Sequence, residues 1–236
     1  MTLEDARIVV VGGTSGIGLA AATAARRAGA RVAVAGRSVE GLERARRADP
    51  GLEVHRLDVN AGPELGELFA ALGTVDHLVV TAAEAITGRL ADLDEVRARA
   101  VLGTKVWGPC RVIRAALPRL SPEGSITLFS GAASARASPG FALGSAVNAA
   151  VEALAVSLAA ELAPVRVNAV RPGIIETPVW GGLPELRAQV FGQVVPRLPS
   201  GRAGRAEEVA AAVLFLLASP YVTGSVLTID GGYLLV

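Results

Sequence analysis

Three glycines and one arginine carry the plainest chemical signal in the sequence. In VVVGGTSGIGLA, Gly12, Gly16 and Gly18 follow a β-branched run and open an alanine-rich one. Glycines in that order let the backbone turn tightly and approach a pyrophosphate, whose charge then sits at a helix N-terminus. The place between a strand and a helix is the context that separates this motif from an ordinary tight turn. Further on, VAVAGRS brings Gly36, Arg37 and Ser38 to the end of a second strand. A carboxylate there accepts from the ribose 2′-hydroxyl of NAD, whereas an arginine accommodates the 2′-phosphate of NADP. With no acid in place, NADP(H) is the expected cofactor; the alternative is an Arg37 that only makes a surface ion pair. His55 and His77 stand at strand edges with no partnering cluster, so packing or surface roles are expected for both and no metal site is.

Such residues need a scaffold that holds loop ends together. Apolar runs at 7–11, 31–35, 53–56, 76–81, 125–130, 165–170 and 225–229 alternate with helical stretches beginning near Gly16, Val39, Pro63, Asp92, Phe141 and Ala206. Buried strands separated by helices imply crossover connections and a parallel sheet covered on both faces. The expectation is a single α/β domain over 1–236, a Rossmann-type doubly wound sheet of about seven strands. Region 174–205, rich in Pro and Gly, reads as a flap over the site or as a plain surface loop. A chain of 236 residues, 51% hydrophobic and 4% aromatic, builds its core mainly from alanine, valine and leucine. A net charge of +1 gives no field for nucleic acid or an anionic membrane, which favours a small-molecule substrate. MTLEDA lacks the basic and apolar regions of a signal peptide and Cys110 is a lone cysteine, so a cytoplasmic setting is expected. The uncharged run 209–229 is broken by SPYVTG into pieces too short to span a bilayer, and no membrane segment is expected.

The chain resembles the short-chain dehydrogenase/reductases, whose first turn reads T-G-x-x-x-G-x-G, with Val11 where that family has threonine. The resemblance runs from Arg7 to Gly232 and includes ELAPVRVNAVRPGIIETP and GRAGRAEEVAAAVLFLLASPYVTGSVLTIDGG. It implies that Thr14, Ser15 and Ile17 join the turn's glycines at the cofactor. It also implies an adenine contact through Asp58 and Val59, and a nicotinamide loop of Pro172, Gly173, Ile175 and Thr177. The family ends its fourth strand with N-N-A-G; this chain has Val80, Thr81, Ala82 and Ala83, then Glu84, small enough to leave room for the ribose.

The catalytic set departs further. KVWGPCRVIRAALP aligns Lys105 with the family's asparagine, FSGAASARASPG aligns Gly131 with its serine, and the following helix aligns Gly144 with its tyrosine and Asn148 with its lysine. A tyrosine activated by the lysine normally exchanges the proton, so this chain must do so otherwise or not at all. The asparagine and lysine are exchanged between helices, which suggests Lys105 and Asn148 facing each other across the cofactor ribose, with a desolvated Lys105 as the acid. The competing reading has Lys105 fill the tyrosine's space and tie down the structure.

Ser130 either reaches a substrate oxygen or caps its strand. Glu84 is a base or a solvated loop carboxylate, and Arg171 binds an anion or forms an ion pair. Trp107 and Trp180 read as packing residues, with Trp180 a possible cover for the substrate. Pro109 should kink its helix unless Gly108 starts a new one. Three functions stay open: an NADP(H)-dependent oxidoreductase of a hydrophobic carbonyl or alcohol, a non-redox isomerase, cyclase or lyase, and a silent NADP(H)-binding sensor or partner subunit. The family's habit of pairing through its fourth and fifth helices, with apolar FALGSAVNAAVEALAVSLAAELA and GGYLLV here, implies a homo-oligomer, dimer or tetramer.

Overall fold

The computed structural model describes residues 2–60, 62–82 and 86–236. Its elements run β1 (Arg7–Val11), α1 (Gly16–Arg27), β2 (Arg31–Gly36), α2 (Val39–Ala48), β3 (Glu53–Arg56), α3 (Pro63–Leu72) and β4 (Val75–Val80). There follow α4 (Glu95–Leu102), a π-helical turn (Gly103–Trp107), α5 (Gly108–Ala116), β5 (Leu120–Phe129), α6 (Ala142–Glu161) and β6 (Arg166–Pro172). The chain ends with β7 (Ile175–Glu176), α7 (Pro184–Gln189), β8 (Gly204–Arg205), α8 (Ala206–Ala218) and β9 (Val226–Ile229). Seven strands form one sheet in the order β3-β2-β1-β4-β5-β6-β9, and each pairing is parallel. This is the expected Rossmann-type doubly wound sheet.

Both faces of the central strands are buried because β1, β2 and β4 carry consecutive apolar residues and a strand turns alternate side chains to opposite faces. Val9, Val11, Leu78 and Leu128 pack with α3, α5 and α6 on one side. Ile8, Val10, Val34 and Val79 pack with α1 and α8 on the other. Alanines supply the close approach: Ala21, Ala22 and Ala25 of α1 lie in one cluster with Ala210, Val213 and Leu217 of α8. Each fully buried branched or aromatic side chain in these layers contributes roughly 1.5–3 kcal/mol.

The strand order reverses between β1 and β4, which places a crevice beyond their C-terminal ends. Val11 pairs with both Ala35 and Val80, so the loops after β1, β2 and β4 start level with one another. Asp94 caps α4 by accepting from Arg97 N at 2.7 Å, and the helix therefore starts at Glu95, after a separate 3-10 turn at Leu90–Asp92, rather than near Asp92. Strand β5 extends back to Leu120 through a break in register opposite Val75–His77, a longer strand than SITLFS alone. The stretch 174–205 is not structureless. Its ends pair as β7 and β8, with Ile175 opposite Gly204, and helical turns fill the interval. Among the described residues one helix, α6, is long and apolar enough to cross a membrane by length and composition. It connects β5 to β6 and buries Val147, Asn148, Val151 and Ala155.

Candidate active site

Three adjoining cavities occupy the crevice. The first, about 240 Å³, lies at the ends of β1 and β2 and is bordered by Thr14, Gly36, Arg37, Ser38, Val59 and Ala82. The second, about 470 Å³, is bordered by Gly16, Ile17, Gly18, Ser130 and Thr177, and it shares Gly12, Ser15 and Thr81 with the first. The third, about 220 Å³ and mostly apolar, shares only Lys105 and Pro172 with the second. Its walls include Ile86, Val101, Phe141, Ile174, Trp180 and Tyr233. Lys105 thus stands where a long groove meets a small apolar chamber.

The groove has the form of a dinucleotide cradle. A Cβ on Gly12, whose φ is +88°, would lie 2.5 Å from Thr81 Oγ1 and 2.6 Å from Ala82 N, so only glycine lets β1 turn against the end of β4. Gly12 N donates to Ala35 O and Thr81 N donates to Val11 O, each at 2.8 Å, which fixes the turn between the three strand ends. Helix α1 begins at Gly16 with an extended Ser15 before it and no side-chain cap, leaving its first N–H groups directed at the groove. Ser38 caps α2 by accepting from Gly41 N at 3.1 Å, which holds the Arg37 backbone at the rim.

Lys105 reaches the junction through irregular helix. Pro109 has no N–H to offer the Lys105 carbonyl, and the chain answers with a π turn in which Gly108 N bonds back to Gly103 O. Helical backbone then resumes at Gly108, so the expected kink at Pro109 takes the form of a π turn just before it. The amine has no hydrogen-bond partner among the described residues, and desolvation pulls its pKa from 10.5 down to about 8.

The positions left by the missing tyrosine and serine have been filled. A Cβ on Gly144 would lie 3.0 Å from Ile86 O, so the chain after β4 occupies the space beside α6. Gly88 N donates to Gly140 O at 2.8 Å and fastens the two segments together. A Cβ on Gly131 would lie 3.2 Å from Asn148 Nδ2 and 3.3 Å from Oδ1, so the Asn148 amide rests against the backbone where a serine side chain would stand. Asn148 is 8% exposed, and its Oδ1 has no hydrogen-bond partner among the described residues.

A family profile described as enoyl-(acyl carrier protein) reductase matches residues 11–234. Short-chain dehydrogenase/reductase fsr5 of Gibberella fujikuroi is 30% identical, the match covering 99% of this chain and 96% of that protein. The chain belongs to the short-chain dehydrogenase/reductase family. Carbonyl reductase family member 4 of Danio rerio is 35% identical over 95% of the chain and 96% of that protein. A crystal structure of a small-chain dehydrogenase in complex with NADPH superposes with a TM-score of 0.86 at 34% identity, covering 99% of this chain and 100% of that one.

Within this short-chain dehydrogenase/reductase the groove gathers most of the residues singled out from sequence, but several stand elsewhere. Asp58 does not border the first cavity; Leu57 and Val59 do, while Asp58 Oδ1 accepts from Asn60 N at 2.9 Å. Ile175 turns into the core at 6% exposure, and Ile174 faces the apolar chamber instead, beside Gly173. Asn148 borders only the chamber while Lys105 borders both spaces, so the two do not face each other across the groove where a ribose would lie. Ala83 and Glu84 lie outside the described residues.

Ser130 borders the groove, but its hydroxyl donates to Val170 O at 3.3 Å, which ties it to the strand end. Arg171 forms an ion pair: Nε and Nη2 reach Glu152 Oε1 and Oε2 at 2.8 and 2.6 Å, with both side chains largely buried. Burial alone would raise the Glu152 pKa, but hydrogen bonds from Arg171, Ser134 and Ser130 outweigh it and hold the carboxyl below its usual value. His77 is buried against Ser125, 2.8 Å from Nδ1 to Oγ, and desolvation lowers its pKa to about 4. His55 bonds the neighbouring Glu53 at 2.9 Å, and no metal-binding group exists among the described residues. Trp107 is exposed, whereas Trp180 donates to Ile175 O at 2.7 Å, packs edge-on against Phe191 and walls the chamber.

Sequence reasoning missed Thr104, Ile86, Phe141 and Tyr233. Thr104 directly precedes Lys105 and borders the first cavity. Tyr233, read only as part of an apolar C-terminus, lies on the chamber wall with the Arg136 guanidinium 4.4 Å over its ring.

Proposed function

We propose that this protein is an NADP(H)-dependent oxidoreductase of a small hydrophobic carbonyl compound or its alcohol, with Lys105 holding the transferred proton. The observation that carries this reading is the place of Lys105, a desolvated amine without a hydrogen-bond partner among the described residues, which borders both the glycine-lined groove and the apolar chamber. The groove fits a dinucleotide: the Gly12 turn would be filled by any Cβ, and the α1 N-terminus opens onto the space a pyrophosphate needs. When bound, the nicotinamide supplies or accepts the hydride. Arg37, at the rim of the first cavity, would read the 2′-phosphate.

The chain's own residues supply the remainder. With a pKa of about 8, Lys105 is mostly protonated at neutral pH, so Nζ can give a proton to a substrate oxygen on reduction and take it back on oxidation. Trp180, Phe141 and Ile174 keep water from the chamber and strengthen that interaction. Ser130, whose hydroxyl donates to Val170 O, supports the strand end. The same proposal has two copies of the chain meeting through the faces that carry exposed Leu102, Trp107 and Val156, which light scattering would detect as a dimer or larger species.

Fluorescence titration with NADPH and NADH, followed by NADPH oxidation with a panel of ketones, tests the reading. NADPH should bind more tightly than NADH, and Lys105→Met should reduce turnover about 10²- to 10⁴-fold. Absence of nucleotide binding, or equal turnover by Lys105→Met, refutes it. Conversion with the cofactor unchanged would establish the non-redox alternative, and binding without turnover of any ketone the silent one.

A further inference from the structure

The chain meets its need for positive charge almost wholly with arginine. Of its 23 Lys+Arg residues only one, Lys105, is a lysine. The surface ion pairs of Arg7, Arg99, Arg187 and Arg202 all use a guanidinium. The one side-chain amine stands instead in the crevice, where it borders both the groove and the chamber. The two kinds of cation differ in a way that matters there. A guanidinium stays protonated in a protein and has no lone pair to give, whereas an ammonium that loses its proton becomes a nucleophile.

The surroundings favour that loss. Among the described residues no Asp or Glu borders either space, and Tyr233 is the only other titratable side chain on their walls. Nζ makes no hydrogen bond or ion pair with the described residues, so its lone pair is uncommitted once the proton leaves. Desolvation brings the pKa to about 8, which leaves about a tenth of the amine unprotonated at pH 7. Lys105 is nevertheless partly exposed through the spaces it borders, so a small molecule can reach it. Ile86, Val101, Phe141 and Ile174 offer apolar surface to the body of such a molecule.

We propose that Lys105 has a second activity, which needs no nucleotide: its amine captures aldehydes and unhindered ketones entering the chamber as a Schiff base. The Nζ lone pair forms a bond to the carbonyl carbon, the C=O π pair moves to oxygen, and a proton passes from nitrogen to that oxygen to give a carbinolamine. The carbinolamine loses its oxygen as water while the nitrogen lone pair completes a C=N bond, so one carbonyl and one amine yield one imine and one water. Nothing is oxidised or reduced, and hydrolysis returns the carbonyl compound unchanged. This activity does not rest on the oxidoreductase reading, which uses the protonated form of the same group.

The probes are hexanal and acetaldehyde, with sodium cyanoborohydride to reduce the imine to a stable secondary amine and peptide mass spectrometry to locate it. The α-amino group, whose usual pKa is also about 8, is the internal reference. In the folded parent at pH 7, hexanal should label Lys105 about tenfold or more faster than the α-amino group, and acetaldehyde, with little apolar body to bind, should lose most of that advantage. In urea, where the lysine returns to its usual 10.5, the order should reverse. Folded Lys105→Arg should keep only the α-amino adduct. Labelling of Lys105 no faster than the α-amino group in the folded parent overturns the proposal, as does a preference that persists in urea or an unchanged adduct yield in Lys105→Arg. An equal advantage for acetaldehyde overturns it too, because the chamber would then add nothing to a reactive amine. Labelling that meets these conditions in a protein that binds no NADPH leaves the capture standing and refutes the oxidoreductase reading, whereas ketone reduction by a protein whose Lys105 hexanal does not label refutes the capture alone.

Discussion

Replacing Lys105 by methionine should make the protein more stable and less active at once. Methionine keeps most of the stem and removes the charge that folding draws out of water. Burial moves the lysine pKa from 10.5 to about 8, and at about 1.4 kcal/mol per pH unit this opposes folding by about 3 kcal/mol at pH 7. The sign follows from proton counting. Between pH 8 and 10.5 the unfolded chain binds a proton that the folded chain has released, so the parent gains stability as pH rises through that window. The methionine variant lacks this gain. Urea unfolding at pH 7 and pH 9.5 should find Lys105→Met more stable by up to about 3 kcal/mol at the lower pH, with the gap narrowing at the higher. A variant less stable than the parent at pH 7 would refute the reasoning, because Lys105 would then be a tie that holds the helix.

Carbonyl reduction by the parent should have a kcat/KM that is level below about pH 8 and falls above it, and Lys105→Arg, which stays protonated, should flatten the fall. Gly144→Tyr restores the family residue but sets a Cβ 3.0 Å from Ile86 O; we expect a loss of about 1–3 kcal/mol in urea unfolding and no gain in turnover. Glu152→Gln strands the largely buried Arg171 charge and should cost about 3–5 kcal/mol. In the parent, Glu152 is held below its usual value of 4.5, so its contribution is complete above that pH and is lost as pH falls through the lower folded pKa; unfolding curves from pH 7 to pH 3 should show the variant with a shallower acid slope.

The sheet was legible because its strands obey a rule that needs no partner to read. RIVVV and EVHR coincide with β1 and β3, and the helix starts at Gly16, Val39, Pro63 and Ala206 were visible as turn residues before helical runs. The glycine turn was legible for the same reason, since a strand, three glycines and a helix are adjacent in sequence. The chamber was not. Ile86, Phe141 and Tyr233 come from distant segments and meet only after the chain has folded, and nothing in their local spacing announces it. Asp58 and Ile175 were assigned through resemblance, and each lies next to a wall residue, Val59 and Ile174, because neighbouring positions on extended chain point to opposite sides.

The four replaced positions are physically coupled, which bears on whether the site decayed or was rebuilt. Loss of a tyrosine alone would leave a hole at Gly144, yet Ile86 has closed on it and a Gly88–Gly140 hydrogen bond secures the closure. Loss of a serine alone would leave a gap at Gly131, yet the Asn148 amide lies in it, which a lysine stem at 148 would not reproduce. Removing the lysine from α6 would leave no cation between groove and chamber, yet the π turn before Pro109 delivers Lys105 to that point from the opposite helix. Independent decay has no reason to fill each space it empties, still less to retain a desolvated amine that opposes folding. A charge kept at that cost, where groove and chamber adjoin, supports the proposal that Lys105 is a proton site rather than part of a remnant scaffold.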